Sequence, residues 1–165
     1  MPDQRLNDLL ARQAIAANVQ RERDRQGQQA ADKAAARRAF VEKLWPERSR
    51  NLDEAIARLN ELMVANDVQL HRRWADNSGP AGQIERVEVG FSAHDFLHSD
   101  MRCVMFHIHA DGGVHARMAT KNHMPAKEDR FSLEDADVDR WMASLIDFVD
   151  VNTPSEGNCE KALVC

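Results

Sequence analysis

Residues 3–44 contain no proline and a single glycine, Gly27, and Ala, Arg, Gln and Glu dominate the stretch. These residues favour helix, and nothing between them signals a turn. The pattern predicts one long helix of about 60 Å, at 1.5 Å of rise per residue, with Asp3 as its N-cap. A chain of 165 residues that commits so much of itself to one rod must build its core from what remains. The ends of the rod are apolar. Leu6, Leu9, Leu10 and Ile15 lie near its start, and Phe40, Val41, Leu44 and Trp45 near its finish. From Ala17 to Ala39 the apolar content is Val19 and small alanines. The heptad through Leu6 reads Leu6, Gln13, Gln20, Gly27, Ala34, Val41, and that through Leu10 reads Leu10, Ala17, Asp24, Ala31, Arg38, Trp45. Neither is an apolar seam, so a long two-stranded coiled coil is not expected. The reading is a solvated helical arm over residues 1–45, whose Leu6, Leu9 and Leu10 are candidate partner-binding residues.

Trp45-Pro46 predicts the end of this helix, because proline disfavours helix in the residue before it. A second helix follows, with Ser49 or Asn51 as cap. Its Leu52, Ala55, Ile56, Leu59, Leu62 and Met63 recur at helical spacing, and Asn66-Asp67 predicts its stop. Residues 68–74 fit either continued helix or strand, and their alternation favours strand. Val87, Val89 and Phe91 then alternate with Arg86, Glu88 and Gly90, which is strand periodicity. Residues 101–110 and 114–120 read as two strands joined by Asp111-Gly112-Gly113.

The register of that hairpin follows from sorting its faces. Pairing Ala110 with Val114 gathers Val104, Phe106, Ile108, Val114, Ala116 and Met118 on one face. It puts His107, His109, His115 and Arg117 on the other. A one-residue slip would mix the two sets. This register places Gly113 in the left-handed position and His115 opposite His109. Residues 121–131 read as a polar loop. Ser132 predicts a capping box for the last helix, whose Val138, Trp141, Met142, Leu145, Phe148 and Val149 form a buried stripe. Residues 152–165 read as a disordered tail. The expected fold class is α+β. Two N-terminal helices, the first arm-like, precede a three- or four-stranded antiparallel meander with a C-terminal helix on one face. The compact domain is expected over residues 46–151.

No apolar run approaches the length of a membrane span, and the first residues lack a secretory pattern. The chain therefore reads as cytoplasmic. Cys103, Cys159 and Cys165 make no disulfide framework and no Cys-x-x-Cys pair. Residues 1–75 carry 14 Lys+Arg against 11 Asp+Glu, while residues 76–165 carry 8 against 16. Arg21, Arg23, Arg25, Lys33, Arg37 and Arg38 form a basic run, but Glu22, Asp24 and Asp32 interrupt it and no aromatic is there to stack on bases. Nucleic-acid binding is therefore disfavoured.

Six of the seven histidines fall between positions 94 and 123. His107 and His109 share a strand face, and the predicted register adds His115. Three imidazoles there would form a zinc site with an open fourth position, suited to hydrolysis. His94 and His98 have helical spacing in the preceding connection. Phosphate-loop, dinucleotide, nucleophile-elbow and calcium-loop patterns are absent from the sequence. The primary expectation is a non-enzymatic binding or regulatory protein. It would associate with itself or a protein partner through the N-terminal helix, with no cofactor. A zinc-dependent enzyme on His107, His109 and His115 is the alternative, and nucleic-acid contact by the arm a weaker one.

Overall fold

The computed structural model describes residues 2–66, 69–77, 79, 82–91, 102–120 and 125–153. Helix α1 (Pro2–Met63) runs for 62 residues, about 93 Å, and a 3-10 turn over Val64–Asn66 ends it. Strands β1 (Leu70–Asp76), β2 (Gln83–Phe91), β3 (Cys103–His109), β4 (Gly113–Ala119) and β5 (Pro125–Ser132) form an antiparallel meander in sequential order. Helix α2 (Val138–Asn152) follows. The class is α+β as expected. The sheet has five strands among the described residues, not three or four.

The two expected N-terminal helices are one, because α1 passes through Pro46 without a break. A proline inside a helix costs roughly 3 kcal/mol. Packing on both sides of it outweighs that cost. Val41 and Trp45 before it, and Leu52, Ala55, Ile56 and Leu59 after it, are all buried in the same core. The boundary drawn at residue 45 therefore cuts a continuous helix, and the core begins at Val41.

Polar side chains on α1 add to this packing. Arg37 donates to the Asp111 carbonyl in the β3–β4 turn (2.8 Å) and pairs with Glu134. Arg48 and Asn51 donate to the carbonyls of Glu134 and Ala136 (2.9 and 3.3 Å). Asn60 holds the start of β1 from both sides. Its amide donates to the Leu70 carbonyl (2.8 Å), and its oxygen accepts from the Leu70 N–H (2.7 Å). Arg72 on β1 reaches the Ser49 hydroxyl and the Asp53 carboxylate of α1. Residues 68–74 were ambiguous in sequence, and these bonds accompany the strand outcome for Leu70 onward.

Val87, Val89, Phe91, Val104, Phe106, Ile108, Val114, Ala116 and Met118 line the covered face of the sheet, and all are buried. Trp141 on α2 meets Phe106 and Phe131 edge-on, with ring centroids 5.0 and 5.2 Å apart. Phe148 packs on Phe91. The stripe read for the last helix is thus correct for Trp141, Leu145 and Phe148, which are fully buried. Trp45 is buried as well, whereas the Trp74 side chain lies outside the described residues.

Three further expectations are corrected. Residues 125–132 form β5 and not part of a loop. Its core-facing positions are Lys127 and Asp129 before Phe131, so no apolar alternation marks it. Helix α2 satisfies them: Asp129 accepts two bonds from Arg140 (both 2.7 Å), and Lys127 pairs with Asp147 (2.8 Å). The Arg140 guanidinium also lies over the Phe131 ring at 4.0 Å. Second, Ser132 caps a single 3-10 turn (Leu133–Asp135) and not the helix, while Asp137 caps α2 by accepting from the Arg140 N–H (2.8 Å). Leu133 and Ala136 are fully buried, so this turn is drawn into the core before α2 starts.

Third, the β3–β4 register differs by one residue pair. Ile108 faces Val114, not Ala116, and His107 faces His115. The faces sort as predicted because the shift changes the pairing sum by two. The loop is still three residues, but Gly112 and not Gly113 takes the left-handed backbone (φ 91°). A Cβ at Gly112 would lie 2.6 Å from a nitrogen at the flexible end of Arg37, which could shift, so the positive φ is what calls for glycine here.

Asn152 ends α2 and Thr153 is its C-cap. The rest of the expected tail lies outside the described residues. Among the described residues no helix is long and apolar enough to cross a membrane. Because Pro46 is exposed and its ring fills no core space, replacing it should relieve the helix. Pro46→Ala is expected to raise unfolding free energy by about 1–3 kcal/mol, read from urea midpoints. A lower midpoint would mean that the proline sets a bend the core requires.

Candidate functional site

Among the described residues, helices α1 and α2 cover one face of the sheet and no element covers the other. Strand pairing writes the bare face out in rows. One row runs Asp76, Arg86, His107, His115, Arg130 across the five strands, and the next runs Glu88, Met105, Arg117, Glu128 from β2 to β5. His107 and His115 are a directly opposed cross-strand pair with ring centroids 6.3 Å apart. His109 lies one step beyond, opposite Gln83. Of the three predicted ligands, the structure pairs His107 with His115 and sets His109 one step further along β3, where it borders the same cavity as His115. Among the described residues no group of three or more His, Cys, Asp or Glu side chains is placed to hold a metal ion. His94 and His98 lie outside the described residues.

Each imidazole of the pair has its own polar partner. The Nδ1 of His107 lies 3.0 Å from the Gln83 amide oxygen, so the ring donates there and Nε2 faces away. Gln83 reaches this face because the β2–β3 register shifts by one residue between Gln83 and Glu85. Without that shift, Gln83 would share the core side with Val87 and Val89. The Nε2 of His115 lies 3.1 Å from a Glu128 carboxylate oxygen on β5. Glu128 also faces Arg117 at 3.6 Å and Arg130 at 3.8 Å. The His115 hydrogen bond is the main cause that holds the Glu128 carboxyl below its usual pKa, with Arg117 and Arg130 adding to it.

Gln83 and Glu128 were both missed in the sequence. Gln83 needs a register shift that no residue pattern announces, and Glu128 needs β5. Neither histidine strand, β3 nor β4, carries a carboxylate to sit beside an imidazole. It comes instead from the next strand. Asp111 is used in the turn, accepting from the Gly113 N–H at 2.8 Å.

Three shallow cavities border this region. One of about 280 Å³ lies among Arg86, Cys103, Met105, His107 and Arg117. His109 borders the other two, one toward Arg37 and Ala34 and one toward Arg130 and Phe131.

The second candidate surface is the first half of α1. Residues 3–36 are exposed without exception, a length of about 51 Å. Leu6, Leu9, Leu10 and Ile15 are each more than half exposed. Three of the six cations in the basic run are paired within the chain: Arg25 with Glu22, Arg38 with Glu42, and Arg37 with Glu134 and the Asp111 carbonyl.

No protein-family model matches the chain, and neither a curated protein nor a solved structure matches it. The residues themselves therefore carry the functional reading.

Burial lowers the His107 pKa from its ordinary 6.5, and the charges of Arg86, His115, His109 and Arg117 lower it further. The unfolded chain thus takes up this proton first as pH falls. The stability tied to neutral His107 is fully present above about 6.5 and is lost below it. His107→Gln should therefore lose less unfolding free energy than the wild type between pH 7.5 and pH 5, in paired urea titrations. Parallel losses in the two proteins would show that His107 protonation is not linked to folding.

Proposed function

We propose that this chain is a binding or regulatory protein, not an enzyme, and that it joins a second copy of itself through the N-terminal half of α1. The observation that carries the reading is the uninterrupted exposure of residues 3–36 on a helix whose other half is buried in the core. A solvated helix gains little from packing, and Leu6, Leu9 and Leu10 form an i, i+3, i+4 patch at its tip. Covering that patch removes apolar surface from water at about 25 cal/mol per Å².

The arm is nearly neutral, with 6 Lys+Arg against 5 Asp+Glu over residues 3–36, so two such arms can meet at their apolar tips without net repulsion. Failure of both heptad lines argues for contact at the tip, not along a full coiled coil.

Sedimentation velocity of the full chain should show a concentration-dependent oligomer. The triple variant Leu6→Ser, Leu9→Ser, Leu10→Ser should sediment as monomer, and at a concentration where the wild type is also monomeric the two should share a thermal midpoint, because these side chains are exposed. A wild type that stays monomeric at its highest soluble concentration would overturn self-association. So would an oligomer that survives the triple substitution.

A further inference from the structure

The opposed imidazoles of His107 and His115 are each tied at one nitrogen and open at the other. The Gln83 amide oxygen accepts from Nδ1 of His107. The Glu128 carboxylate, which can only accept, takes the proton of His115 Nε2. Each neutral ring is thereby fixed in one tautomer, with its lone pair on Nε2 of His107 and on Nδ1 of His115. Among the described residues no other hydrogen bond reaches either ring. Gln83 comes from β2 and Glu128 from β5, so the two partners stand on opposite sides of the pair. The two nitrogens of an imidazole point in nearly opposite directions. An N–H turned outward on each side therefore turns the lone pairs toward each other, over the seam between β3 and β4.

The spacing of the rings suits an ion between them. An ion about 2.1 Å from each nitrogen lies about 3.2 Å from each ring centre, so the centres stand about 5.3 Å apart for a tetrahedral angle and at most about 6.4 Å. The observed separation is 6.3 Å, which side-chain rotation can close by the remaining ångström. The outward hydrogen bonds to Gln83 and Glu128 are of the kind that orient ligating imidazoles and raise their basicity.

The arginines nearby set what the pair can hold. Arg117 and Arg130 lie 3.6 and 3.8 Å from Glu128, and Arg86 lies 3.8 Å from Asp76. These pairs direct the guanidinium groups to carboxylates on β5 and β1, away from the gap between the rings. Their field still opposes a cation, so an ion attracted by charge alone gains nothing here. An ion that bonds strongly to imidazole does gain, and zinc, nickel and copper are of that kind, whereas magnesium and calcium take oxygen donors.

We propose that His107 and His115 together hold one divalent transition-metal ion, through Nε2 of His107 and Nδ1 of His115, with water completing its coordination. The ion ties β3 to β4 on the outward face of the sheet. The ligands number two and not the three expected from the sequence, since His109 stands one step beyond the pair, opposite Gln83. The site is separate from the N-terminal half of α1 and stands whether or not that helix associates.

The test is a zinc chloride titration of the ¹⁵N-labelled full chain at pH 7.5, followed through the ring nitrogens of its histidines. Reading those nitrogens isolates the site from zinc taken up by cysteine thiolates elsewhere. Before metal is added, His107 is expected as the Nδ1–H tautomer and His115 as the Nε2–H tautomer. Zinc should then shift His107 Nε2 and His115 Nδ1 in parallel, saturating with one apparent affinity, and magnesium chloride should move neither. His115→Gln should weaken the zinc response at His107 Nε2 at least about tenfold. If that variant does not fold, His107→Gln read at His115 Nδ1 takes its place. The reverse tautomers, shifts that do not saturate, an equal response to magnesium, or wild-type affinity in the variant would each overturn the site.

Discussion

A sheet with one apolar face must have that face covered, and in this chain two helices of very different length share the work. Val87, Val89, Phe106, Ile108 and Ala116 are sealed only because the second half of α1 and the whole of α2 lie over them. Burial of this face is the dominant favourable term, and the other features follow from it. It carries α1 through Pro46, since ending the helix there would strip Leu52, Ala55, Ile56 and Leu59 from the core. It draws Leu133 and Ala136 inward and so delays the start of α2 to Asp137. The hydrogen bonds from Arg37, Arg48, Asn51 and Asn60 then fix where along the sheet the helix lies.

The same constraint shapes the exposed face. Strand β5 packs under α2 with Lys127 and Asp129 on the helix-covered side of the sheet, and it holds its place through Asp147, Arg140 and the Phe131 ring. Its outward positions are thereby set, and Glu128 arrives beside His115. Asp129 and Arg140 thus act on the histidine pair at one remove, by fixing the strand that presents its carboxylate. On the other side of the pair, the register shift in β2 turns Gln83 out to His107. The bare face becomes a small field of alternating charge, with guanidinium groups around β3 and carboxylates at the margins.

Much of this was legible in the residues, for definite reasons. Strands β2 to β4 alternate cleanly between apolar and polar positions, so their faces could be sorted and the histidine face identified. The buried stripe of α2 follows helical spacing. What failed was where local pattern and tertiary packing disagree. Trp45-Pro46 is a sound local stop that core packing overrides. Strand β5 has charges where apolar residues would have marked it, because their partners sit on a helix ten or more residues away. The hairpin register was wrong by one pair because face sorting cannot distinguish registers that differ by two residues, and that error put His109 where His107 belongs. Nothing in the sequence marks Gln83 as a histidine partner.

Helix α1 is one helix with two fates, its second half part of the core and its first half outside it. Amide hydrogen exchange along α1, at a concentration where the chain is monomeric, reads this directly. Residues 41–59 are expected to exchange only through global unfolding, as the amides of β3 and α2 do, while residues 3–36 exchange orders of magnitude faster. A break in protection at Pro46, with residues 41–45 exchanging as fast as the arm, would contradict the continuous helix. Slow exchange through residues 3–36 in the monomer would contradict the division itself.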